Sequence, residues 1–467
     1  MTIVQKIKRK RKRIKRTFSI IKKSNLDVFN KIFRILSWLL PGLVLKRWIV
    51  TSAIGLITSL LGIAIWTNLR PLYWLIETFF WLMTGLTSIF PVSILGPFIL
   101  FIGLLLICLG QNRSINSIQK ALVPQKETLL VDALRVNSKL SRGPNIVAIG
   151  GGTGLSTLLK GLKNYSSNIS AIVTVTDDGG SSGILRKQLG VQPPGDIRNC
   201  LAALSNEEPT LTRLFQYRFS GGGGLEGHSF GNLFLSALTT ITGSLEKAVQ
   251  ASSQVLSVQG QVIPATGIDV MLWAELEDGE KIFGESLIGK SVKPISRIGC
   301  LPENPPALKN AIEAIKEADL IVLGPGSLYT SLLPNLLVPE IVEELLKNNS
   351  PKIYISNLMT QPGETDGLDV YQHIKSIEKQ LFNFGVNTRI FNAILSQGEF
   401  EGSSLIDYYR SRGAEPVICN KKRLVSEGYH VLQAPLYSKR ITPTLRHDYR
   451  RLARAVMYMY KKIKKAN

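Results

Sequence analysis

The chain has 467 residues and a net charge of +22, but residues 1–47 hold fifteen Lys and Arg against Asp27 alone. That tail carries +14 and leaves +8 for everything else, so the strong basicity does not belong to the globular part. Cys108, Cys200, Cys300 and Cys419 are scattered with no metal or redox spacing, which argues against a disulfide framework or zinc site and suits a reducing cytosol.

In chain order, the tail 1–47 contains KIKRKRKRIKR, Lys6 to Arg16. Trp48 to Leu69 follows without a charge; as a helix it would be roughly 33 Å long, enough for a bilayer core. Val92 to Leu109 is the second expected span, and Leu72 to Phe90, aromatic-rich and holding Glu77, is expected as an interfacial or outer-loop segment. Residues 48–110 thus read as a two-span anchor. The basic tail and the basic residues of the linker 111–143, among them Arg113, Lys120, Lys126, Arg135, Lys139 and Arg142, place both flanks on the cytoplasmic side. The expectation is an inner-membrane anchor with the amino terminus and the large domain 144–467 in the cytoplasm. Beside a span, anionic lipid head groups are a simpler partner for the tail than specific nucleic acid.

The large domain opens with NIVAIGGGTGLSTLLKGL, Asn145 to Leu162. Ile146 to Ile149 read as a buried strand, and Leu155, Leu158, Leu159 and Leu162 recur at helical spacing. Between them Gly151, Gly152, Thr153 and Gly154 let a ligand approach main-chain N–H groups at a helix start, a setting that favours phosphate. Leu155 stands where a dinucleotide fingerprint needs its third glycine, and no Gly-Lys-Ser/Thr closes a Walker loop.

A second apolar run, Ile169 to Val175, feeds TDDGGSSG, Thr176 to Gly183. Asp177 and Asp178 fall where a nucleotide fold places a ribose-binding acid, and paired carboxylates also hold Mg²⁺ beside phosphate. Ser181 and the glycines make a second anion nest. In PPGDIRNCLAAL, Pro193 to Leu204, Asp196 reads as a helix N-cap and Arg198 as a phosphate partner or an ion pair to Asp196. A polar helix is expected near Thr210 to Phe219, a loop tip at Gly221 to Gly224, and then GHSFGN opens the helix Phe230 to Ile241. His228 and Asn232 there face a ligand, His228 as proton donor or acceptor for a phosphate.

Val255 to Leu287 reads as a β insertion with a hairpin at Asp278-Gly279, structural in content, followed by a helix from Pro305 to Ala318. The opening logic repeats at Leu320 to Leu323, where a strand ends in Gly324, Pro325, Gly326 and Ser327. The strand Lys352 to Ser356 is followed by a polar loop with Asn357 and Thr360, then the helix Asp369 to Leu381. Four polar loops after four strands would share the carboxyl rim of one parallel sheet, a three-layer α/β class. The chain closes on a basic amphipathic helix, Leu445 to Lys465.

The set GGGTGLS, TDDGGSSG, PPGDIRNCLAAL, GHSFGN, LGPGSLYTSLLPNL and SNLMTQPGETDG resembles the YvcK-like gluconeogenesis-factor family, relatives of the CofD 2-phospho-lactate transferases. The resemblance implies a Rossmann-like fold, UDP-sugar binding and a role in cell shape and envelope supply on gluconeogenic carbon. The CofD relatives use the same cleft with Mg²⁺ to transfer a phospho-lactyl group. Two readings follow. In the first, a non-catalytic binder, Gly151 to Gly154 and Gly324 to Ser327 hold a pyrophosphate, while Asp177, Asp178 and Asn357 hold ribose, base or sugar. In the second, a transferase, Asp177 and Asp178 are metal ligands, and Arg198 or His228 stabilises developing charge. No cofactor is required beyond optional Mg²⁺, and a homodimer is compatible with the pattern. The two-span anchor departs from the family's soluble layout.

Overall fold

The computed structural model describes residues 44–110, apart from 68–69, 90, 92, 95 and 107–108, and residues 137–466, apart from 207–208, 292, 401–403 and 438–444. The basic tail at Lys6 to Arg16 and most of the expected linker lie outside the described residues. The chain divides into two compact units, Met1–Arg135 and Val136–Asn467.

In the first unit, helices Val44–Trp66 and Arg70–Ile89 are described. Leu72 to Phe90, expected as an interfacial or outer-loop segment, is therefore mainly helical. Among the described residues no helix is long and apolar enough to cross a membrane, so the two-span anchor is not supported. Within the second expected span the longest described helical run is 96–106, about 16 Å, half of a bilayer core. Apolar side chains of these helices are nonetheless exposed, among them Leu56, Trp74, Phe80 and Trp81.

The second unit is built on seven parallel strands in the order β10-β9-β8-β7-β1-β2-β3. They are β1 Ile146–Gly150, β2 Ile169–Val173, β3 Gln261–Pro264, β7 Leu320–Leu323, β8 Lys352–Ile355, β9 Ala393–Gln397 and β10 His430–Ala434. A small antiparallel sheet, β5-β4-β6, comprises β4 Met271–Leu276, β5 Lys281–Phe283 and β6 Ile295–Leu301.

Burial on both faces explains the near-continuous apolar runs of the central strands. Ile146 and Ala148 join one core with Leu155, Leu158, Leu201 and Leu452, while Val147 and Ile149 join the other with Ile315, Leu328, Ile341 and Ile374. Alternation along one strand thus feeds two helical layers. The chain runs outward from β1 to β3, then returns to place β7 against the other side of β1. That reversal is a topological switch point, where open α/β sheets form their ligand crevice.

Several expected bounds shift. The polar helix is Pro209–Gln216, ending early because Arg218 bridges Ser229 in a narrow hairpin. The helix expected from Pro305 begins at Lys309, because Ala307 bridges Thr266. The expected β insertion is divided: β3 completes the main sheet and β4 and β5 belong to the small one. β6, β9 and β10 had no counterpart in the expectations.

Candidate functional site

The β1 and β7 turns meet at the switch point. An added Cβ on Gly154 would stand 2.3 Å from the Pro325 carbonyl oxygen, and one on Gly326 3.3 Å from the Gly151 carbonyl oxygen. Both positions need glycine for closeness of backbone to backbone. Gly152 (φ +66°) and Gly324 (φ +79°) need it for conformation, since they turn the chain in the left-handed region. Asn335, fully buried, donates from Nδ2 to the Gly150 and Ser331 carbonyls at 3.3 and 2.8 Å and so ties the second turn to the first.

Helix Gly152–Leu162 starts at Gly151 with no side-chain cap, while Thr153 is exposed and Gly152 and Gly154 are half-buried. Uncapped N–H groups at a helix start favour an anion. Helix Gly180–Leu189 also starts without a side-chain cap, beside Asp177 and Asp178. On the β7 side a single π-helical stretch, Leu328–Leu332, replaces a regular helix start, and Ser327 precedes it. Ser327 accepts from Gln361 Nε2 at 2.7 Å, and Gln361 Oε1 accepts from Asn357 Nδ2 at 3.2 Å. Asn357, Gln361 and Ser327 thus form one polar edge after β7 and β8.

The paired aspartates turn to different neighbours. Asp177 accepts from the Gly179 N–H at 2.9 Å, and its other oxygen would lie 2.4 Å from a Cβ on Gly195. Asp178 accepts from the Ser286 N–H at 2.7 Å and lies against Gly284. Among the described residues no group of three or more His, Cys, Asp or Glu is placed to hold a metal ion. The pair is therefore no ready-made Mg²⁺ cage.

Asp196 is not a helix cap. Pro194 occupies the cap position of helix Gly195–Leu204, and the Asp196 carboxylate accepts from the Gly152 N–H in the first glycine turn. A Cβ on Gly151 would stand 2.5 Å from it. Burial, reinforced by the charge of Asp177, pushes the Asp196 carboxyl up to about 6, against the opposing effects of the Gly152 bond and Arg198. Arg198 makes no ion pair with Asp196. Its guanidinium donates to Ser229 and, at 2.9 Å, to Asn199 Oδ1. Burial and the charge of Arg218 lower its pKa, with Asp177 and Asp196 opposing.

Ser181, His228 and Asn232 come together, all more than nine-tenths buried. Ser181 Oγ lies 3.0 Å from His228 Nδ1 and accepts from Asn232 Nδ2 at 3.1 Å. The direction of the Ser181–His228 bond follows the imidazole tautomer, since the Ser181 hydroxyl can donate to Nδ1 or accept from it. Ser229 caps helix Phe230–Thr242 at the Asn232 N–H.

The site contains acids that sequence reasoning missed. Glu285, in the segment read as structural, is pushed up to about 9 by burial first, then by Asp177, Asp196, Asp178 and Glu364. Glu364 is raised by burial, opposed by hydrogen bonds from the Thr330 hydroxyl (3.1 Å) and the Tyr329 and Thr330 backbone. Each has one buried carboxylate oxygen with no hydrogen-bond partner among the described residues. The glycine in Gly284-Glu285-Ser286, at φ +96°, is the one local signal that this segment turns back toward Asp178. Thr360, by contrast, does not join the site. Its backbone and hydroxyl are both committed to Glu415, at 2.7 and 2.8 Å.

A cleft of about 500 Å³ lies at the opposite, amino-terminal end of β1, β2 and β3, lined by Asn145, Asn168, Gln261, Asn310 and Glu317 among others. None of the glycine turns reaches it, and the carboxyl rim is where the N–H donors converge.

Residues 146–437 match the family described as 2-phospho-L-lactate transferase CofD. A Nostoc relative whose name includes the words gluconeogenesis factor is 50% identical over 91% of this chain and 92% of its own. The Gluconeogenesis factor of Bacillus subtilis is 44% identical over 69% of this chain and all of its own length. A crystal structure of a UPF0052-family protein from Bacillus halodurans superimposes with a TM-score of 0.64 at 45% identity, covering 68% of this chain and 99% of that one. Complete proteins thus exist with little more than the second unit.

Proposed function

Because the chain belongs to the CofD family and, within it, to the gluconeogenesis factors, we propose that it binds a nucleotide-linked sugar of the UDP-sugar class and acts as a regulator of envelope supply and cell shape during growth on gluconeogenic carbon, without turnover. In this reading the N–H groups of Thr153 and Gly154 hold one phosphate of the diphosphate, beside the Gly152 N–H that Asp196 already takes, and those at Gly180 and Ser181 hold the other. Ser327, Asn357 and Gln361 supply hydrogen bonds to the nucleoside, and Asp178 accepts from a hydroxyl of ribose or sugar. The observation that carries the reading is the contact of the β1 and β7 glycine turns at the switch point, with two uncapped helix starts on the same rim. The test is thermal stabilisation by UDP-glucose, UDP and GTP, each with and without Mg²⁺, with product analysis of the same samples. Stabilisation by the UDP compounds with the ligand recovered intact is the expected result. Consumption of the ligand overturns the non-catalytic part.

The second reading is a CofD-like transferase, and the Ser181–His228 contact favours it. A serine hydroxyl within hydrogen-bond reach of an imidazole can serve as a proton-transfer pair, and Arg198 donates to Ser229, the residue after His228. Mg²⁺ would then arrive on the donor's phosphates, with Asp177 or Asp178 as a supplementary ligand.

The place of the chain in the cell is also a proposal. Exposed apolar side chains on helices Val44–Trp66 and Arg70–Ile89 favour attachment to the membrane with the second unit in the cytoplasm. Release of the full chain from membranes by high salt alone would contradict it.

A further inference from the structure

Helix Tyr449–Ala466 packs inward through Leu452, Ala453, Val456, Met457, Tyr460 and Ile463. Its seat is tight: a Cβ on Gly161 would stand 2.1 Å from the Tyr449 carbonyl oxygen and 2.7 Å from the Ala453 Cβ. The outward face is therefore fixed. Arg450, Arg454, Tyr458, Lys461, Lys462 and Lys465 are all exposed, and their spacing traces a single row along the helix. The row spans about 22 Å.

None of these five cations forms an ion pair among the described residues. Elsewhere on this unit some exposed cations are matched, Lys293 with Asp278 and Glu280, Arg297 with Glu275 and Arg389 with Glu427, while others such as Lys187, Lys290 and Lys316 stand singly. The helix differs in gathering five such cations along one face, with no carboxylate paired to any of them among the described residues. Tyr458 stands in the middle of it, 58% exposed.

We propose that this row is a docking face for an anionic lipid surface, with the cations against head-group phosphates and Tyr458 entering the head-group layer. Charge complementarity calls for a polyanion, and the tyrosine selects lipid, because its ring is apolar and its hydroxyl polar, the pairing favoured at membrane–water interfaces. Because the other faces of the helix are buried, the row presents one flat edge to a flat partner. The face needs neither the ligand site nor insertion of the amino-terminal helices.

The test uses residues 136–467, since relatives of that extent are complete proteins. Co-sedimentation is measured with phosphatidylcholine vesicles carrying phosphatidylglycerol and with phosphatidylcholine alone, at low and high salt. The expected result is salt-sensitive binding to the anionic vesicles only. Arg454→Gln/Lys461→Gln/Lys465→Gln should weaken it roughly 100-fold, each lost charge counting for about fivefold. Arg454→Lys should bind as wild type, and an unchanged melting temperature shows that the triple variant is folded. Triple-variant binding within twofold of wild type overturns the proposal. So does wild-type binding to single-stranded RNA in place of vesicles, which would make the polyanion a nucleic acid.

Discussion

The two glycine turns look alike in sequence and differ in what they do. The first, after β1, ends in an uncapped helix start with Thr153 exposed, and so offers donors outward. The second, after β7, runs into a buried π-helical stretch, with Leu328 to Leu332 all buried, and its Pro325 carbonyl lies against Gly154. The first turn leaves donors open at the rim and the second packs against it. An apparent motif repeat is therefore not a repeat of structure, and the first turn's geometry depends on the second.

The largest effect that could break this comparison is expected at Gly154→Ala. The new methyl would press on Pro325, so overpacking should cost about 1–3 kcal/mol and part the turns, weakening UDP-glucose binding more than tenfold by calorimetry. Gly152→Ala sharpens the contrast. The nearest atom to its Cβ is Ser331 Oγ at 3.5 Å, so crowding is absent and only the left-handed backbone is strained; a cost of about 1 kcal/mol is expected in a chemical melt.

Next comes Asp178→Asn, expected to weaken UDP-glucose binding about tenfold with Tm nearly unchanged, because the amide oxygen can still accept from Ser286. Unchanged affinity would remove Asp178 from the site.

A smaller effect concerns pH. Asp196 has a raised folded-state pKa, so the folded chain holds more protons than the unfolded one between the ordinary carboxylate value near 3.8 and about 6. Its favourable contribution is present below that window and is lost as pH rises through about 6. The ionised form also repels a phosphate at Gly152. Affinity for UDP-glucose should fall as pH rises from 5 to 7, and Asp196→Asn should flatten that slope. His373, buried, and His447, half-buried with its Nε2 enclosed, act oppositely on stability. Burial lowers both to about 4, so their contribution is present above the usual 6.5 and is lost as pH falls toward 4. The smallest expected change is Gln361→Ala, two- to threefold in affinity, through the loss of its bond to Ser327.

What could be read from the sequence follows the same contrast. β1, β2, β7 and β8 are legible because strands buried on both faces are near-continuous apolar runs, and their loops therefore fall on one rim. β9 and β10, AILSQ and HVLQA, mix polar residues into five positions and give no clear period. Asp196 stands at a plausible cap position, and only the turn at Pro193-Pro194 sends it to Gly152 instead. Glu285 is distant in sequence and reaches the rim because the small sheet folds back over Asp178. Thr360 lies in a polar loop, but an isolated bridge to the segment near Glu415 takes it away. The expected two-span anchor, drawn from apolar length and basic flanks, is not supported among the described residues, where no helix is long and apolar enough to cross a membrane.

Amide hydrogen exchange on the full chain, with and without saturating UDP-glucose, tests most directly whether the joined turns hold a diphosphate. The expected result is new protection confined to residues 150–156, 177–183 and 324–328. Protection at the amino-terminal cleft around Asn145, Asn168 and Asn310, with the glycine turns unchanged, would contradict it.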